Sequence, residues 1–231
     1  MPRATQNNNW QTAADESDES SGCFSFLLPP LSVIFISLLL SSFALKTPLQ
    51  VQAQPLSVTS ILGLAPFFRP EIQYWAGSII RWASASSLDP NLVAVIMQIE
   101  SCGDPRARSR AGAMGLFQVM PFHFYAADNP YDPDTNAARG LAYLAKSLKA
   151  ANGNARLALA GYNGGIGVIT RAEWTWSAET KRYVYYGAPI YEDARRGAAS
   201  SSMLDEWYKK YGVALCRQAS ERLGNQAGSG G

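Results

Sequence analysis

Between Asp89 and Gly103 the chain reads "DPNLVAVIMQIESCG", and on a helix of 3.6 residues per turn its apolar side chains cover nearly the whole cylinder. Such a helix has no face for water. It must run through the middle of a domain with other elements packed around it. Asp89 and Pro90 suit an N-cap and first turn, while Gly103 followed by Pro105 ends the helix near Cys102. Glu100 therefore falls in the last turn. Val93, Ile96 and Met97 stand seven, four and three residues before it, so the carboxylate shares an apolar stripe and faces inward. Burial disfavours the charged form, and the negative end of the helix dipole repels it, so both effects favour a protonated Glu100 near neutral pH. A carboxylic acid held neutral is what protonation of a departing oxygen requires. The competing reading is a partly solvated helix-end residue with no chemical task.

The remaining periodicity is also helical, and no strand-like alternation appears, so the expected class is all-α. Helices are expected over about 70 to 84, over "DTNAARGLAYLAKSLKA" with Asp134 or Thr135 as its cap, and over "ARLALAGYN" capped by Asn154. Ser177 opens another, and "SSMLDEWYKKYGVALCRQASERLG" reads as a single C-terminal helix ending at Gly224. The segment "SRAGAMGLFQVMP" is expected to turn at Gly112 and Gly115 and then form a short apolar helix carrying Gln118.

Residues 1–23, with an acidic cluster at Asp15, Glu16, Asp18 and Glu19, read as a disordered tail. From Phe24 to Leu45 there is no charge, a length close to the roughly 20 residues that span a bilayer. Pro29 and Pro30 divide this run, and "VQA" at 51–53 offers a cleavage site, so a membrane anchor and a signal segment both fit. The acidic region ahead favours the anchor. Residues 46–69 then form a linker, 70–224 the folded domain and 225–231 a flexible tail. Either reading of 24–45 puts the domain outside the cytoplasm, where Cys102 and Cys216 can pair; two separate buried thiols are the alternative.

Twenty Lys and Arg against 18 Asp and Glu leave a net charge of +2, which gives no reason to expect a nucleic-acid partner. A single His123, placed among aromatics, and three scattered cysteines lack the spacing of a structural zinc site, so neither metal nor cofactor is expected. Trp174, Trp176, Tyr185, Tyr186 and Tyr191 are read as core packing, with a ligand-facing role as the alternative. Asp104, between Gly103 and Pro105, is expected to bond its own backbone.

Taken together, Glu100-Ser101, Pro105, Ser109, "GAMGL", Gln118 and "MP" resemble the signature of the soluble lytic transglycosylase (SLT) domain. "ALAGYNGG" at 158–165 and "ETKRYV" at 179–184 resemble that family's second and third blocks, in the same order. The resemblance, covering about residues 85 to 190, implies a fold similar to goose-type lysozyme. It also implies cleavage of the β-1,4 bond between N-acetylmuramic acid and N-acetylglucosamine in peptidoglycan, with Glu100 as sole acid and base. By the same resemblance Ser109, Gln118, Met120, Tyr162, Asn163, Glu179 and Tyr183 line the glycan site. Phe117, Gly161 and Gly164 depart from the family's usual Met and Ala, which bears on the shape of the subsites. A lysozyme-like hydrolase and a non-catalytic glycan-binding module are the other function classes. The expected protein is a monomer of the cell envelope that meets the membrane only through its N-terminal segment.

Overall fold

The computed structural model describes residues 63–228, with side chains to Gly224. The acidic tail, the apolar segment at 24–45, most of the linker and the last three residues lie outside them. Eight α-helices lie among the described residues: α1 (Pro70–Tyr74), α2 (Ala76–Ala85), α3 (Pro90–Glu100), α4 (Pro133–Ala150), α5 (Ala155–Gly164), α6 (Ala178–Arg195), α7 (Ser202–Trp207) and α8 (Val213–Gly228). Apart from isolated bridges at Arg108, Met114 and Val119, they contain no strand pairing, and the all-α class holds.

The helix apolar all round is the centre. Val93 through Met97 on α3 are wholly buried, enclosed by α2 on one side and α6 on another, while α5 packs between α4 and α6. Burying each large side chain of this kind is worth about 1.5–3 kcal/mol. Asp89 caps α3 by accepting from the Asn91 amide at 2.8 Å, and Pro90 occupies its first turn, where no donor is needed.

The same Asp-Pro pair recurs at Asp132-Pro133, two residues before the first cap expected on α4. Asp132, not Asp134 or Thr135, accepts from the Thr135 amide at 2.8 Å. Asp134 instead accepts from the Trp82 indole at 2.6 Å and from Arg81 at 2.8 Å, tying α4 to α2. Asn154 and Ser177 cap α5 and α6 as expected. The expected helix over 70 to 84 breaks at Trp75, whose indole donates to the Gly103 carbonyl at 2.9 Å and so fixes the end of α3 against α1.

The packed unit begins before Pro70. Ala65 and Phe68 are buried, and the Ala65 amide donates to the Asn91 side chain at 2.8 Å. At the other end the helix is interrupted by a π turn over Tyr208–Gly212 and continues through Gly224 to Gly228. A Cβ at Gly212 would lie 2.7 Å from the Trp207 ring, so this close approach depends on glycine.

No helix forms over residues 114–119. Backbone bonds between Met114 and Val119 in both directions, at 3.0 and 2.9 Å, close a tight turn instead. Asn136 on α4 anchors it, accepting from the Phe117 amide at 2.9 Å and donating to the Met114 and Pro130 carbonyls at 2.8 and 2.9 Å. Gly115 sits against that asparagine with φ +75, and a Cβ there would lie 2.7 Å from the Asn136 Cγ. Gly115→Ala is expected to lower stability by about 1–3 kcal/mol in urea denaturation, since it brings both backbone strain and displacement of the anchor.

Candidate active site

Glu100 is the last helical residue of α3. The amide of Ser101 closes the helix on the Met97 carbonyl, and Cys102 and Gly103 then turn the chain through left-handed conformations, with φ +50 and +84. The Ser101 hydroxyl, wholly buried, donates to the Leu116 carbonyl at 2.7 Å, so the glycine-containing loop is pinned directly behind the acid. Glu100 itself is half-buried at a cavity of about 190 Å³, bordered also by Ile99, Asn163, Glu179, Arg182 and Tyr183. Desolvation raises its pKa to about 8, aided by the nearby Glu179 charge and opposed by the Tyr183 hydroxyl.

Three blocks of chain meet at this carboxyl. Tyr162 and Asn163 come from the end of α5, and Glu179 and Tyr183 from the start of α6. The Tyr162 hydroxyl donates to the Phe117 carbonyl at 2.7 Å, joining α5 to the loop. The Asn163 carbonyl oxygen accepts from the Thr180 hydroxyl at 2.9 Å, which fixes the amide beside Glu100. Both phenols are pushed well above their ordinary pKa by burial and by the Glu100 charge, so both remain neutral donors. The Tyr183 hydroxyl is buried and interacts with Glu100, yet makes no well-formed hydrogen bond to any protein atom. Such a donor is available to a substrate.

The loop residues divide. Gln118 and Met120 border a second cavity of about 300 Å³ together with His123, Tyr143, Tyr162 and Asn163, so Asn163 stands between the two spaces. The Gln118 amide nitrogen is committed to the Ala107 and Gly115 carbonyls at 3.2 and 3.0 Å, leaving its role partly that of a loop brace. Ser109 borders neither cavity. Its hydroxyl accepts from the Ala113 amide at 3.0 Å and shapes the 109–113 turn.

The family departures find their reasons in packing. Phe117 is wholly buried, edge-on to Trp82 with ring centres 6.1 Å apart, and borders neither of these cavities. At Gly161 a Cβ would collide with the Ser147 hydroxyl and lie 2.6 Å from Ile169, so this glycine lets α4 approach α5. At Gly164 it would lie 2.6 Å from the Thr180 hydroxyl that holds Asn163. Of the three, Gly164 is the one that borders either cavity.

Asp104 is fully buried. Its carboxylate accepts from the Arg106 amide at 2.8 Å, as a turn Asp does, and also from Gln218 at 2.6 Å, with Arg222 at 3.3 Å. It is occupied by structure. Trp176, Tyr186 and Tyr191 are core residues whose polar atoms bond to Val168, Glu206 and Asp89, Tyr186 also bordering the Glu100 cavity, whereas Trp174 and Tyr185 are exposed and do not border it. His123 packs between Phe122 and Tyr143 at 4.5 and 4.7 Å, and burial lowers its pKa.

Cys102 and Cys216 are bonded, with Cα atoms 5.0 Å apart, so α8 is tied to the residue two places after Glu100. With Glu71 they make the one grouping of potential metal ligands among the described residues, and their sulfurs are committed to each other. The bridge helps to explain what sequence reading missed: Trp207, Tyr211 and Leu215, from the π turn and its flanking helices, border the Glu100 cavity. No motif marks them.

A central helix delivers a half-buried acid into a groove between helices, with a second, exposed carboxylate, Glu179, at its border. Residues 77–184 match the transglycosylase SLT domain family. A transglycosylase of Enterobacteria phage PRD1 is 41% identical over 115 residues, covering 48% of this chain and 40% of the phage protein. Membrane-bound lytic murein transglycosylase C of Photorhabdus laumondii subsp. laumondii is 33% identical over 115 residues, covering 40% of this chain and 32% of that protein. Among solved structures, an inactive mutant of lytic transglycosylase Slt from Pseudomonas aeruginosa aligns with a TM-score of 0.44 and 28% identity, over 55% of this chain and 25% of that one. The chain spans less than half the length of the curated relatives it matches.

Proposed function

We propose that the protein is a peptidoglycan lytic transglycosylase in which Glu100 serves as both acid and base. The observation that carries this reading is the half-buried Glu100 carboxyl at a cavity bordered by residues of all three sequence blocks, where desolvation pushes its pKa up to about 8. At neutral pH Glu100 holds the proton needed by the oxygen leaving C1 of N-acetylmuramic acid. As that C1–O4 bond breaks, the C6 hydroxyl of the same sugar attacks C1, and the Glu100 carboxylate takes the hydroxyl proton. One C–O bond is lost and one is formed. No water is consumed, and the acid is regenerated. Tyr183, with a hydroxyl no protein atom satisfies, is placed to steady the transient carboxylate.

Digests are expected to contain 1,6-anhydromuramic ends, lighter by one water than reducing ends and separable by mass spectrometry. A well-oriented internal hydroxyl reaches an effective concentration of about 10⁵ M or more, against roughly 55 M for water. Digests dominated by reducing ends would establish the hydrolase instead. Asp104 is engaged elsewhere, so Glu179, the other carboxylate bordering the cavity, would then be the base to test. Peptidoglycan as substrate implies an extracytoplasmic site of action, with residues 24–45 as anchor or signal segment and the enzyme working as a monomer.

A further inference from the structure

Arg182 lies on α6 one residue before Tyr183 and borders the Glu100 cavity. Its guanidinium rests over the ring of Tyr211, 5.3 Å from the ring centre. Tyr211 belongs to the π turn, beyond the residues matched to the SLT family, and is held edge-on by the buried Tyr186 ring at 5.7 Å. The Tyr186 hydroxyl donates to Glu206, which also receives Lys210 at 2.7 Å, so the supporting side is braced. A cation held over a ring face is attracted by the ring quadrupole without using up its N–H donors, and no protein acceptor takes them among the described residues. Among the described residues no carboxylate lies within ion-pair distance of Arg182, although Glu179 stands one turn earlier on the same helix. Arg69, Arg106, Arg108, Arg110 and Arg171 also lack an acidic partner among the described residues, but Arg182 is the arginine that borders the Glu100 cavity.

We propose that Arg182, held over Tyr211, is a specificity-determining residue that receives a carboxylate of the glycan substrate beside the scissile bond. This rests on the glycan-cleaving reading above. In peptidoglycan two sources offer that group. Stem peptides carry carboxylates along their length, and a muramic acid stripped of its peptide exposes its own lactyl carboxylate. The edge of a guanidinium accepts either as a two-point, charge-assisted contact. A neutral N-acetylglucosamine oligomer offers neither.

The test measures affinity, with no turnover required. In a Glu100→Gln background, dissociation constants are compared for a muramyl tetrasaccharide bearing stem peptides, the same glycan after amidase treatment, and chitotetraose. Arg182→Gln is expected to lower affinity for a carboxylate-bearing ligand relative to chitotetraose by about 10- to 100-fold, the usual range for losing a charged hydrogen bond. Arg182→Lys should restore part of that preference. Loss confined to the peptide-bearing glycan assigns the stem peptide, and loss confined to the stripped glycan assigns the lactyl group. Equal losses on all three ligands would mean that Arg182 only shapes the cavity through Tyr211, and this result, or no loss at all, overturns the proposal. Failure of the catalytic reading is separate, because it appears as retained turnover in Glu100→Gln itself.

Discussion

Glu100→Gln is expected to reduce turnover by at least about 10³-fold and, at alkaline pH, to make the protein more stable. Both effects have one cause. The amide keeps the size of the carboxyl but can neither deliver nor accept the proton on which the proposed reaction depends. In the wild-type protein the folded-state pKa of Glu100, about 8, lies well above the ordinary value of about 4.3 for an exposed glutamate. Between these limits the native state holds a proton that the unfolded chain has released, so stability must fall as pH rises. The contribution is fully present below about pH 4 and lost once pH passes about 8. Its size is on the order of a few kcal/mol, after allowance for the partial exposure of the group. Urea denaturation at pH 5 and pH 9 checks this: wild type should weaken between the two, and Glu100→Gln should weaken less. The same titration predicts that kcat/KM declines as pH passes about 8, where the acid form disappears. A variant with retained turnover would remove Glu100 from the chemistry, and a pH-independent difference in stability would show that its carboxyl is not desolvated.

The second large effect is expected from the disulfide. Reduction, or replacement of both Cys102 and Cys216 by Ala, should cost about 3–5 kcal/mol, because the bridge closes a loop spanning 114 residues. For a domain of this size that corresponds to a fall in Tm of roughly 6–20 °C. Thermal melts with and without reductant give the measurement, and a mass map of unreduced protein shows whether the bond is present. Free thiols in that map, or coincident melts, would refute it. Activity should fall as well. The bond ties α8, next to the wall formed by Trp207, Tyr211 and Leu215, to the end of α3 that carries Glu100. The buried Gln98 amide, 3.1 Å from the Cys102 sulfur and 3.7 Å from that of Cys216, would also lose its surroundings.

Local chemistry was enough for the centre of this protein. Asp89-Pro90 starts α3, Gly103 and Pro105 stop it, and the apolar stripe of Val93, Ile96 and Met97 turns Glu100 inward. These are effects within one or two turns of chain, where side-chain spacing alone decides which face is buried. The caps at Asn154 and Ser177 belong to the same class. Even locally, competition defeats the pattern in places. Asp132 and Asp134 are both competent caps, and the Trp82 indole and Arg81 drew Asp134 away to a contact more than 50 residues distant. The apolar residues after Gly115 suit a helix, but Asn136 accepts from the Phe117 amide and donates to the Met114 carbonyl in a turned form, and the turn prevails.

What the sequence by itself determined was therefore the all-α class, the central helix and the inward acid at its end. Which groups surround that acid was decided only by tertiary structure. Tyr162 reaches 45 residues back to bond the Phe117 carbonyl, Asp104 is taken up by Gln218, and Tyr211 slides under Arg182 from a π turn that no periodicity announces. Each of these depends on how helices cross and on their register against one another. Those quantities come from the packing of whole faces, so no short stretch of residues contains them.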